Sequence, residues 1–236
     1  MAVSVYTFQM NSLVHSEARG RLAKKEKSVT TTRTNDPMRT MTGILEVATK
    51  EFADKGLSGA RIDAIAEATR TSKRMIYYYF SSKEGLYLAV LEEAYRMMRH
   101  TESQLHLEDL EPEQALRTLV EFTFDHHNAN EDYIRLVMSE NIERGAYLTK
   151  STTIRELNAP AILAIERLYE RGVLQGVFRA GLNPLDIHAS ISALTFFNVS
   201  NQYTFGLIFE NNGERPESAA LRRASISEMI LRYVRK

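Results

Sequence analysis

Two cations, Lys73 and Arg74, stand just ahead of an unbroken aromatic run, Tyr77, Tyr78, Tyr79 and Phe80, and Lys83 follows soon after. On a helix successive residues turn by about 100°, so four consecutive rings sweep most of the circumference and cannot all be core. Ile76 and Phe80, four apart, can share a buried face, which turns Tyr77 and Tyr78 outward beside the cations. Such a set can read nucleic acid. An arginine forks onto guanine O6 and N7, and a lysine reaches a phosphate or a guanine. A tyrosine offers a flat apolar face to a thymine methyl or a sugar, and a hydroxyl to a phosphate oxygen. The competing use is a helical protein–protein adaptor without DNA binding, its tyrosines docked on another protein. Added salt separates the two, because counterion release weakens DNA binding steeply and leaves an aromatic protein interface intact.

Other chemistries lack their residues. His126 and His127 are adjacent, so on a helix their rings diverge and share a metal poorly. The six histidines show neither His-x3-His nor HExxH spacing, and the chain has no cysteine, no phosphate-cradling glycine loop and no nucleophile elbow. No metal, cofactor or enzymatic activity is expected. The lack of cysteine suits a reducing cytoplasm. No apolar run nears the roughly 20 residues of a membrane span, and the N-terminus does not read as a secretory signal. A cytoplasmic protein without a membrane partner is expected. Asn198-Val199-Ser200 matches a glycosylation pattern but falls mid-helix in such a chain. The net charge of zero divides unevenly: residues 1–83 carry 14 Lys and Arg against 8 Asp and Glu, and residues 84–236 carry 16 against 22. A basic front suits a polyanion, and an acidic body keeps the remainder off it.

The elements that must hold these residues are helices. Glycine and proline are scarce and long 3.6-period segments dominate, which predicts an all-α fold. Residues 1–37 show no sustained period and read as a flexible basic arm. Residues 38–86 form three short helices and the start of a fourth. Ile44, Leu45, Ala48 and Phe52 mark one face of a first helix that stops at Gly56. Ile62, Ile65 and Ala66 are the buried side of a short second helix, and Ser72 is an N-cap for the third. The tight connection makes a helix-turn-helix arrangement. Ser81 and Glu84 read as a capping box that opens a long fourth helix. Lys83, in its first turn, opposes the helix dipole at about 0.3–1 kcal/mol, a sign that reverses once a phosphate sits there.

The segment from Ile44 to Leu86 resembles the DNA-binding domain of the TetR/AcrR family of transcriptional regulators. ILEVATKEFADKG is similar to the family's first helix, IDAIAEA to its second, and SKRMIYYYFSSKEGL to its third-helix signature. By position, the resemblance implies base contacts for Lys73, Arg74 and Tyr77. It implies mostly phosphate contacts for Met75, Tyr78, Tyr79, Lys83 and Arg61, with Thr71 and Ser72 at the turn completing the DNA-binding set. It also implies a homodimer on a palindromic operator and a C-terminal helical domain that binds a small-molecule effector, repression being the commoner mode. Arg70-Thr71 replaces the usual Gly-Val of the turn, and a non-glycine residue in a left-handed conformation there costs roughly 1 kcal/mol. Ala60 stands where a capping threonine is usual.

Residues 87–236 read as the ligand-binding and dimerisation domain, with helices near 83–105, 112–128, 131–145, 151–175, 184–209 and 217–235. Pro112, Pro184 and Pro216 sit at helix starts, and Pro160 is expected to kink or interrupt its helix. The last two helices are apolar on more than one side. Ala220, Ala224, Ser227, Leu231 and Val234 form one line that predicts a four-helix seam between two subunits. Candidate ligand contacts are Phe122, His126, Tyr133, Met138, Asn141, Phe197, Asn198 and Asn201; the two amides at 198 and 201 need partners on an apolar helix. The C-terminal half is loosely similar to the family's uracil-responsive pyrimidine-catabolism branch. The fourth helix is expected to be the only element touching both the pocket and the recognition helix.

Overall fold

The computed structural model describes residues 36–209 and 216–236, and the arm expected over 1–37 lies outside them but for its last two residues. Those two open the first helix. The Met38 N–H donates to the Asp36 carboxylate at 3.0 Å, and Pro37 takes a position where a missing N–H costs nothing. Helix α1 (Pro37–Gly59) buries Ile44, Ala48, Phe52 and Ala53. Its regular part breaks where expected, at Gly56, whose φ of 65° only glycine adopts freely. Helices α2 (Ile62–Ala68) and α3 (Lys73–Phe80) follow, joined by a turn in which Arg70 is left-handed at φ 52°.

Helix α4 (Lys83–Ser103) starts where expected, but its cap lies one residue later than the Ser81–Glu84 capping box suggests. Ser81 closes α3 with a φ of 66°, and Ser82 is the cap, its hydroxyl accepting the Gly85 N–H at 2.9 Å. The reason lies in Phe80. With that ring buried, the chain must reverse at once to start α4, and the left-handed residue at 81 makes the reversal. Gly85 permits it, since a Cβ there would lie 2.1 Å from the Phe80 carbonyl oxygen.

Beyond α4 come α5 (Pro112–Ala129), α6 (Glu131–Ile142), α7 (Thr152–Leu174), α8 (Pro184–Ser200), α9 (Gln202–Ile208) and α10 (Pro216–Val234), and the described residues form no strand. Helix α7 continues through Pro160 without a break. The single helix expected over 184–209 divides at Asn201, whose side chain turns back to donate to the Ser200 hydroxyl at 2.8 Å.

Two apolar clusters hold the helices. The first joins Ile44, Phe52, Ile65, Ile76 and Phe80 to Leu86, Tyr87, Val90 and Leu91 of α4, and is closed by Leu136 of α6 and Ile154 of α7. The second gathers α5, α7, α8 and α10 around Leu116, Val120, Ile165, Ile187 and Ile230. This second cluster corrects part of the expected dimer seam. Ser227, Leu231 and Val234 are wholly buried among their own chain's helices, whereas Ala220 and Ala224 are exposed. The line of five residues follows one face of α10, but only the C-terminal half of that face lies over the body of the molecule.

Candidate nucleic-acid interface and interior cavity

Helix α3 presents its chemistry as the sequence predicts. Ser72 accepts the Met75 N–H at 3.2 Å and so fixes the first turn. Ile76 and Phe80 anchor the helix in the core. Lys73, Arg74, Tyr77 and Tyr78 all point to solvent, Tyr78 being 76% exposed. Met75, Thr71 and Tyr79 are half-buried, and Tyr79 leans on the first apolar cluster. Its ring is edge-on to Tyr78 at 5.4 Å, so the two form a wall beside the cations. Lys73 pairs with Asp63 of α2 at 2.5 Å. Both partners are about half exposed, and such a surface pair is weak enough for a phosphate or a base to displace.

Lys83 has a partner that its sequence position does not reveal. Its ammonium donates to the Ser58 carbonyl at 3.2 Å, at the end of α1. It thus opposes the dipole of its own helix and serves the carbonyl end of another. Arg61 caps α2 without a side-chain bond. Its N–H is held by Glu51 at 3.0 Å, which leaves its guanidinium exposed.

A cavity of about 220 Å³ lies between α4, α5, α6, α7 and α8. Tyr133 is the one expected ligand contact that lines it. From α4 come Tyr95, Arg99 and Glu102; from α5, Thr123 and His127; from α7, Asn158; from α8, His188 and Phe196. Burial drives the His127 pKa down to about 4, with His126 and Arg99 adding repulsion. Burial likewise lowers His126 and His188, again with Arg99 beside them, so these rings are neutral at pH 7. Arg99 and Glu102 pair with each other. Two buried atoms at this wall have no partner, Arg99 Nε and His127 Nδ1.

The other expected contacts lie elsewhere. Met138 lines a shallower cleft with Arg135, Ser139 and Tyr203. Phe122, His126, Asn141, Phe197, Asn198 and Asn201 line neither hollow. The amides are satisfied locally. Asn198 donates to the Leu194 carbonyl at 2.8 Å and accepts from Arg222 of α10 at 3.1 Å, while Asn141 donates to the Val137 carbonyl at 2.9 Å. Phe197 is exposed and edge-on to Phe205 of α9 at 5.6 Å. His127 was legible: it continues the buried spacing of Leu116, Val120 and Thr123, one position round from His126.

Helices α4 and α6 both run between this cavity and α1–α3, and α7 reaches the same apolar cluster through Ile154. Helix α4 carries Arg99 at one end and Leu86 and Tyr87 at the other. Helix α6 puts Tyr133 and Val137 on the cavity wall, and its Arg135 donates to the Ala53 carbonyl of α1 at 2.9 Å. A third tie joins α4 to α7, where Ser151 donates to Glu92 at 2.6 Å.

Residues 44–90 match the profile of bacterial regulatory proteins of the tetR family, and residues 112–230 match a tetracyclin repressor-like C-terminal domain. The transcriptional repressor NicS of Pseudomonas putida is 33% identical over 198 residues, spanning 84% of this chain and 93% of NicS. The structure of the Streptomyces coelicolor regulator SCO4942 aligns over 83% of this chain and 98% of its own, with a TM-score of 0.62 at 25% identity. The ketosteroid regulator KstR2 of Mycobacterium tuberculosis shares the fold, at 17% identity and a TM-score of 0.61 over 86% of this chain and 97% of that one. No helix among the described residues is long and apolar enough to cross a membrane. With the helix-turn-helix surface, both domain matches and a repressor aligned over most of its length, this chain belongs to the TetR family and is a DNA-binding transcriptional regulator, not an enzyme.

Proposed function

We propose that the protein is a repressor that binds a palindromic operator as a homodimer and is released by a small-molecule effector held in the interior cavity. The observation that carries the reading is the split of α3, with Ile76 and Phe80 buried and Lys73, Arg74, Tyr77 and Tyr78 presented together. Arg74 and Lys73 read base edges in the major groove, Tyr77 adds an apolar contact, and Tyr78, Arg61 and Lys83 hold phosphates.

The dimer seam lies on the outer sides of α8 and α10. Leu185, Ala189, Ala193 and Phe197 repeat every four residues on the exposed side of α8, and α10 adds Leu221, Ala224 and Met229. Small residues in mid-stripe let two helices approach closely, and the larger ones flank them. Footprinting on the region upstream of the protein's own gene tests the reading. Two protected half-sites related by a two-fold axis, one helical turn or a multiple apart, are expected. Uniform coverage without half-sites would overturn it.

A further inference from the structure

We propose that Arg135 is a positioning residue for operator reading: from the C-terminal domain it caps the end of α1, fixes the angle of the DNA-reading helices, and so restricts the dimer to one half-site spacing. The proposal rests on the two-fold operator reading and adds the residue that sets the spacing.

The need for such a residue arises at Gly56. In an unbroken helix the N–H groups of Leu57 and Ser58 would serve the carbonyls of Ala53 and Asp54. Gly56, at φ 65° and ψ 175°, takes the chain out of helical register there, which leaves those two oxygens to other donors. Arg135 of α6 supplies them. Its Nε–H donates to the Ala53 carbonyl at 2.9 Å, and its Nη2 reaches the Asp54 carbonyl at 3.5 Å. A cation suits this end of a helix, where the dipole is negative. Lys83 does the same for the Ser58 carbonyl, but from α4, within the residues that match the DNA-binding domain. Arg135 does it from the other domain.

Direction is what the fork adds. Apart from α4, helices α1–α3 meet the rest of the molecule through the apolar contacts of Leu136 and Ile154. Apolar packing resists separation but is non-directional, so it tolerates a small rotation of one body on the other. A planar guanidinium spread across two adjacent carbonyls does not. Arg135 is itself held from behind. Glu131, one turn earlier on α6, lies 3.8 Å from its Nη1 and accepts the Tyr203 hydroxyl of α9 at 3.1 Å. Two residues on, Phe205 is edge-on to Phe197 of the proposed dimer seam at 5.6 Å. The contacts therefore run from the seam through α9 and α6 to α1. They set the tilt of α1–α3 on each side of the two-fold axis.

Four duplexes test this by fluorescence anisotropy with the full-length protein. They are the footprinted operator, the same operator with one base pair inserted or removed at its centre, and a single half-site. One base pair turns one half-site against the other by roughly a tenth of a turn, which α1–α3 follow only by tilting. The wild-type protein is expected to bind both altered operators about tenfold or more weakly than the original. Arg135→Ala is expected to bind the single half-site as the wild type does, and to bring the three operators within about threefold of one another. Arg135→Lys keeps the charge and loses the fork, and is expected to fall between the two. As the milder change it decides the matter if the alanine variant does not fold. A wild-type spacing preference in every variant that folds would overturn the positioning role and leave the two-fold reading intact. Weaker half-site binding with that preference unchanged would overturn it too, since the residue would then only support the fold. Equal binding of all four duplexes by the wild-type protein would overturn both readings.

Discussion

The ammonium of Lys83 lies 3.2 Å from the Ser58 carbonyl, so its charge serves the end of α1 before any phosphate arrives. Lys83→Ala therefore combines two losses. Stability should fall by about 0.5–1.5 kcal/mol in urea unfolding, and the slope of log K against log salt should drop by about one unit per protomer without a change of sequence preference. Arg74→Ala should leave stability intact and relax preference at one or two base pairs per half-site by about 1–3 kcal/mol, as read by binding-site selection. Gly85 is a residue the sequence does not single out, although a glycine in the first turn of a long helix is itself a signal. Gly85→Ala should cost about 1–3 kcal/mol, since its Cβ would meet the Phe80 backbone. His127 sets a pH dependence. Its folded pKa, about 4, lies below the unfolded value near 6.5. Between those values the unfolded chain binds the extra proton, so the neutral ring's stability is present above about pH 6.5 and is lost as pH falls toward 4. The loss at pH 5 should be about 2 kcal/mol, and His127→Phe should flatten that part of a stability profile.

At the scale of elements, α10 shows how a correct pattern can point the wrong way. Its apolar line runs from Ala220 to Val234, yet Ser227, Leu231 and Val234 close the second cluster and leave Ala220 and Ala224 in the open. Periodicity tells which residues share a face but not whether the chain itself or a second copy covers it. The two cases give opposite outcomes. Ala193→Glu, on the exposed stripe of α8, should yield folded monomers that no longer bind operator, because a two-fold seam would bury the unpaired charge twice. Leu231→Ala should instead lower stability by about 2–5 kcal/mol and leave the dimer assembled at low temperature. Sedimentation together with urea unfolding distinguishes them. The pocket was poorly legible for a related reason. Polar and aromatic residues near the expected hollow are the natural candidates from sequence, but Asn141 and Asn198 bond carbonyls of their own helices. Arg99 and Glu102 sit on the helix expected to act as a lever, in a stretch that reads as an ordinary charged face. By contrast, the helix-turn-helix was legible almost to the residue, because its caps, its turn and its buried spacing are all local.

Across the whole molecule, helices α4 and α6 both link the cavity to α1–α3. Helix α4 joins them directly, and α6 joins them through Arg135 on the carbonyls of α1. These ties make it harder for a ligand to shift the cavity wall and leave α1–α3 where they were. Coupling of about 1–3 kcal/mol is the usual scale, and reciprocity requires operator DNA to weaken ligand binding by the same factor. All of this stands on α3 being a DNA-reading helix. Its most direct test is the fluorescence anisotropy of a labelled duplex from upstream of the protein's own gene, titrated with protein across a range of salt. If each protomer of a dimer holds phosphates with Arg61 and Lys83 alone, log K should fall against log salt with a slope of about −3.6 or steeper. Affinity that stays constant across that range would contradict the account.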